Sequence, residues 1–112
     1  MNLFTLPPGA PGTEEFKEIL CSGAGIEIER IVSHGQRTPE GEWLDQDRDE
    51  WVVLLQGEAK LRYTDGSKTD LQAGDWVFLP GHMRHRVEAT SRTPPCIWLA
   101  IHGTIRILPQ TS

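Results

Sequence analysis

The stretch Asp49-Glu50-Trp51-Val52-Val53-Leu54-Leu55-Gln56-Gly57 decides the fold. An acidic residue leads into five apolar residues, and a glycine ends the run. Glu50 to Gln56 reads as a strand. Gly57 suits a tight reversal, because glycine reaches positive φ at no steric cost. The next segment, Glu58 to Tyr63, sets Ala59, Leu61 and Tyr63 against Lys60 and Arg62, and Asp65-Gly66 then signals a hairpin turn. Glu50, Val52 and Leu54 form one face of the central strand. Trp51, Val53 and Leu55 form the other. A strand apolar on both faces is covered on both. One cover is a barrel interior; the other is an N-terminal arm or a second subunit.

Working outward, Gly25 to His34 alternates Ile26, Ile28, Arg30 and Val32 against Glu27, Glu29, Ile31 and Ser33, which predicts a strand. Met1 to Gly12 holds three prolines and two glycines and reads as an extended arm. Thr13 to Leu20 fits a short helical turn or a strand, and the barrel context favours the strand. Gly35 to Asp49 is polar, contains Pro39 and Gly41, and reads as a long loop. Trp43 and Leu44 are expected to tuck onto the barrel mouth. Downstream, Lys68 to Leu71, Asp75 to Leu79, His85 to Ala89, Ile97 to His102 and Thr104 to Leu108 are candidate strands. Short strands at this spacing, with no long amphipathic segment, predict an all-β barrel or sandwich.

Bulk properties narrow the function. A chain of 112 residues makes one domain. Apolar content of 38% and charged content of 24% fit a folded chain. A net charge of -5, with Arg30, Arg37, Lys60, Arg84 and Arg92 scattered among acids, argues against a nucleic-acid partner. The longest apolar run is far short of the roughly 20 residues that span a bilayer, so no membrane partner is expected. Glu14, Glu15, Lys17 and Glu18 leave no signal-peptide core in the first twenty residues. Cys21 and Cys96 lack metal or redox spacing, and two thiols in a cytoplasmic protein is the simpler expectation. No phosphate loop, nucleophile elbow or paired-cysteine motif is found.

A second block, Gly74-Asp75-Trp76-Val77-Phe78-Leu79-Pro80-Gly81-His82-Met83-Arg84-His85, carries further information. Glu50 with Gly57, and Gly74 with Pro80 and His85, together resemble the two signature motifs of the cupin family. The resemblance covers about Ile26 to His102. It implies a double-stranded β-helix, or jelly-roll barrel. Gly41 can stand for the glycine that opens the first motif. That motif's two histidines are replaced: Trp43 and Asp45, or Leu44 and Gln46 under the shorter spacing, fall at their positions. In the second motif His82 stands where glycine is usual, and Ala89 where asparagine is usual. Trp-x-Asp-Gln before Glu-Trp-Val-Val-Leu-Leu resembles small single-domain members whose activity is often unassigned.

The resemblance places Glu50 and His85 inside the barrel from two strands. Alternation puts Val87 and Ala89 on the face of His85. A Glu and a His meeting there can hold a divalent ion such as Mn, Fe, Ni or Zn, with Asp45, Gln46 or His82 as a third ligand and His34 or His102 more distant. The alternative is a hydrogen-bonded Glu–His pair that binds no metal. Asp45, Gln46, His82 and Trp43 are the expected ligand-binding residues around the mouth. Three functions stay open: a small-molecule binding barrel, a metal-dependent oxygenase, isomerase or lyase on a small polar substrate, and a barrel that has lost its site. A homodimer is expected, as in many cupins.

Overall fold

The computed structural model describes residues 1–111, and no helix occurs among them. Eight strands follow in order: β1 (Phe16–Gly23), β2 (Ile26–Ser33), β3 (Asp49–Gln56), β4 (Glu58–Tyr63), β5 (Lys68–Gln72), β6 (Trp76–Leu79), β7 (His85–Thr90) and β8 (Cys96–Gly103). They form a five-stranded sheet in the order β1-β2-β8-β3-β6 and a three-stranded sheet in the order β5-β4-β7. Every ladder is antiparallel. The non-sequential order, with the last strand between β2 and β3, is that of a jelly roll and not of a simple meander.

The core lies between the sheets. Val52, Leu54, Leu79, Trp98 and Ala100 come from the larger sheet, and Ala59, Leu61 and Leu71 from the smaller. Gly57 joins β3 to β4 with φ of 93°, as the sharp reversal at that point requires. Both thiols are free, Cys21 exposed and Cys96 buried.

Three local expectations change. Thr104 to Leu108 forms no strand; the backbone N–H of Ile105 instead donates to the Asp49 carboxylate at 3.0 Å, which turns the tail away from the sheet. The first strand begins at Phe16 and not at Thr13. Ala89 leaves the face of His85 and Val87. Lys60 pairs with Ala89 but Leu61 pairs with Val87, so Glu88 is an extra residue in β7, and the bulge turns Ala89 outward.

The 36–46 segment does not drift as an open loop. It runs beside the free edge of β7. Thr38 donates its N–H to Val87 O at 2.9 Å, and Leu44 and His85 exchange backbone hydrogen bonds of 2.7 and 3.1 Å. Arg86, 5% exposed, points its guanidinium into this segment, donating to Thr38 O at 2.8 Å, Pro39 O at 3.1 Å and Glu42 O at 3.3 Å. A residue that alternation alone assigns to solvent is therefore buried, because three backbone carbonyls need its donors.

Candidate functional site

A cavity of about 230 Å³ opens between the sheets. Glu50 and Val52 reach it from β3, Leu79 from β6, His85 and Val87 from β7, Trp98 and His102 from β8, and Glu29 and Ile31 from β2. Leu44, Asp45 and Gln46 close one side. Lys17 on β1 supplies a cation at the rim, 3.6 Å from the Glu15 carboxylate.

Strand register explains the convergence. Glu50 lies opposite Leu79 on one side and His102 on the other, so all three face inward. His85 begins β7, and its ring is buried at 4% exposure. Nδ1 of His85 lies 3.0 Å from Met83 O. A carbonyl can only accept, so Nδ1 carries the proton and Nε2 presents a lone pair. Glu50 Oε1 accepts from Gln46 Nε2 at 2.7 Å. The carboxylate is thus held from the loop while its second oxygen has no hydrogen-bond partner among the described residues.

The cavity wall includes Glu50, His85, Asp45 and Gln46 among the six residues expected at a site, and it leaves Trp43 and His82 outside. Trp43 lines a neighbouring depression with Arg37, Thr38 and Glu42. His82 sits on the turn before β7 with φ of 64° and a side chain 73% exposed. Its Nδ1 lies 3.1 Å from Asp45 Oδ1, and Arg84 Nε reaches Asp45 Oδ2 at 3.3 Å. These bonds, from His82 first and then Arg84, hold the Asp45 carboxyl below the usual carboxylate range. Asp45 is engaged at the rim with these two residues. His34 lies away from the cavity, on a surface depression with Gly35 and Arg92.

Glu29 and Lys17 were not singled out by their sequence positions, and His102, expected only as a more distant candidate, lies on the cavity wall. Glu29 alternates with Arg30, and nothing in that pattern says which of the two faces inward. Arg30 is turned outward because the arm supplies carbonyls for it: its guanidinium donates to Leu3 O at 3.1 Å and Thr5 O at 2.8 Å, and it pairs with Glu18. Glu29 is left facing the cavity.

The family's divalent metal can be tested against this donor set. His85 offers a free Nε2 and Glu50 a free oxygen, the donors that a metal takes. Asp45 is occupied at the rim, His102 is engaged with Glu29 at 3.1 Å, and Gln46 contributes only an amide. Among the described residues no group of three or more His, Cys, Asp or Glu side chains is arranged to hold an ion. The residues present do not fit a metal centre built by the protein, for lack of the two replaced histidines.

Comparison with known proteins agrees with the topology. A family model for the cupin domain matches residues 28–102. No curated protein matches the sequence. Among solved structures, a protein from Ralstonia eutropha JMP134 provisionally named a mannose-6-phosphate isomerase is 39% identical, with a TM-score of 0.85 over 94% of this chain and 97% of that one. A cupin superfamily protein from Desulfitobacterium hafniense DCB-2 is 22% identical, with a TM-score of 0.71 over 86% of this chain and 83% of its own. The polyketide cyclase RemF from Streptomyces resistomycificus is 18% identical, with a TM-score of 0.68 over 86% of this chain and 69% of its own. The last two share the fold. With the strand order, the Gly57 reversal and the inward Glu50 and His85 in place, the chain belongs to the cupin family.

Proposed function

We propose that this cupin is a binding barrel for a small, non-anionic, hydroxyl-bearing molecule, seated between Glu50 and His85 without a metal centre built by the protein. The observation that carries this reading is the held carboxylate. Glu50 lines the cavity with one oxygen held by Gln46, and its other oxygen has no hydrogen-bond partner among the described residues. Glu50 is half-buried, and a ligand hydroxyl that donates to its carboxylate makes a charge-assisted hydrogen bond at a partly desolvated wall. His85 adds a second acceptor at Nε2. The volume, about 230 Å³, is below the roughly 300–1,000 Å³ of sites for drug-sized ligands and suits a molecule of sugar size.

Charge selects further. Glu15, Glu29, Asp45 and Glu50 line the cavity against the single ammonium of Lys17. A phosphate dianion would meet these carboxylates at close range in a partly desolvated space. The neutral sugar is therefore a better ligand than its phosphate ester. The second reading, a sugar-phosphate isomerase, is supported by the likeness to the Ralstonia protein over almost the whole of both chains.

NMR titration with mannose and with mannose 6-phosphate separates them. Mannose is expected to shift the signals of Glu50, Gln46 and His85, and Glu50→Gln to weaken it about tenfold, the loss of one hydrogen bond to a charged acceptor. Tighter binding and turnover of mannose 6-phosphate would establish the isomerase reading instead. Elemental analysis of tag-free protein is expected to find far less than one metal ion per chain, and a full equivalent would overturn the metal-free site.

A further inference from the structure

The inner wall of the cavity holds a second polar group that the two cupin motifs do not include. His102 lies on β8 directly opposite Glu50 on β3, and Glu29 lies across β8's other edge on β2. Nε2 of His102 is 3.1 Å from Glu29 Oε1. The His102 side chain is 9% exposed and that of Glu29 15%. Nδ1 of His102 is buried and has no hydrogen-bond partner among the described residues.

That unpartnered nitrogen decides the direction of the pair. A proton on Nδ1 would be a buried donor with no acceptor, whereas a proton on Nε2 meets a carboxylate. His102 therefore donates through Nε2, and Glu29 accepts on one oxygen. The other oxygen of Glu29 has no hydrogen-bond partner among the described residues and belongs to a residue on the cavity wall. Glu50 repeats this arrangement across the sheet: one oxygen held by the uncharged donor Gln46, the other free.

We propose that Glu29, held by His102, is a second ligand anchor, and that with Glu50 it makes a two-carboxylate clamp selecting a polyhydroxy ligand that carries a protonated amine. This rests on the small-molecule reading above and narrows its ligand class. The carboxylates of Glu29 and Glu50 line one cavity, each held by the protein through one oxygen, and the one Lys or Arg on its wall, Lys17, already pairs with Glu15. An ammonium group on the ligand supplies several donors and the missing positive charge together. His102 is a positioning residue: it touches Glu29 and fixes which oxygen is free.

Mannose and mannosamine make a matched pair of probes, used below the amine's pKa. Wild-type protein is expected to bind mannosamine about tenfold more tightly than mannose, the gain of a charge-assisted over a neutral hydrogen bond. Glu29→Gln, with far-UV circular dichroism as the check on folding, is expected to remove that preference while mannose still binds. Retention of the preference in Glu29→Gln overturns the clamp but leaves the pocket reading standing. Failure of both sugars to bind overturns both. A ligand-free measurement tests the pair alone: proton–nitrogen correlation spectra of His102 are expected to show the Nε2–H tautomer, and an Nδ1–H tautomer would overturn the assignment of His102 as the donor that holds Glu29.

Discussion

At Gly57 the backbone leaves no room for a side chain. A Cβ there would lie 2.8 Å from Ser91 Oγ, 2.9 Å from Cys96 Sγ and 3.0 Å from Cys96 Cα, on a backbone with φ of 93°. Gly57→Val is expected to lower stability on the order of 1–3 kcal/mol in urea denaturation; unchanged stability would mean the turn re-forms in another geometry. Asp49 works differently. Its carboxylate accepts from the N–H of Ile105 and of Gly81, fastening the tail and the turn after β6 to the start of β3. Those bonds, Ile105 first, hold its pKa below the ordinary 3.8. Asp49 therefore contributes stability above that ordinary value, and the contribution disappears as pH falls through the lower folded value. Asp49→Asn is expected to lower the melting temperature at neutral pH and to remove part of the acid dependence below about pH 4. A melting curve that depends on pH equally in both proteins would show that these bonds do not act through the charge. Gly57 and Glu50 were legible from spacing. Glu29 was not, and His102 was legible only as a distant candidate beside His34, since a histidine near the end of a strand looks the same in sequence whether it faces a cavity or the solvent.

Among the elements, the strands were the legible part, because their period of two survives wherever the ladder is regular. β4 occupies the span that its pattern predicts, and β3 starts one residue earlier, at Asp49. Legibility failed where something other than alternation decides the backbone. The bulge at Glu88 reverses the facing of Ala89, and no propensity marks it. The Thr104–Leu108 segment has the composition of a strand but pairs with none, and its Ile105 N–H goes to the Asp49 carboxylate instead. The 36–46 segment looks structureless and is fixed by Arg86 from β7, the strand it runs beside. Arg86→Met keeps the stem and removes the guanidinium, leaving the carbonyls of Thr38, Pro39 and Glu42 to find water or stay unpaired. A loss of about 1–3 kcal/mol is expected, the range for orphaning a buried polar group. Proteolysis is expected to sharpen the point, with new cleavage inside 36–46 while the sheets stay protected. Cleavage spread equally over the whole chain would mean that Arg86 holds the fold together and not this segment alone. Gln46 and Asp45 lie at the end of the same segment, so its loosening is expected to weaken ligand binding as well.

The outer face of the larger sheet bears on the whole molecule. Trp51 pairs with Ile101 and with Phe78, and Val53 with Leu99 and with Trp76, so these six side chains share one outward face across β8, β3 and β6. The rings of Trp51 and Trp76 lie 5.7 Å apart, and Trp76 is 36% exposed. Toward β2 the face has a cover: the N-terminal arm, fastened by Arg30 through Leu3 O and Thr5 O. A continuous apolar surface of this kind beside a covered one is a place for another protein surface. A second copy of the chain is the occupant expected here. It would offer the same apolar stripe, and a two-fold axis buries both at once. The exposed Phe4, 53% accessible, lies in the arm and can extend the contact. Sedimentation velocity at micromolar concentration is expected to give twice the 12.6 kDa chain mass. Trp76→Arg places a charge in the middle of the stripe and is expected to give monomers with an unchanged far-UV spectrum, because Trp76 is not part of the core between the sheets. A wild-type monomer would refute the association itself. A dimer that survives Trp76→Arg undiminished would move the interface elsewhere, to the free edge of β1, where Ile19 and Leu20 are 50% and 42% exposed and the outer row of backbone groups has no partner strand.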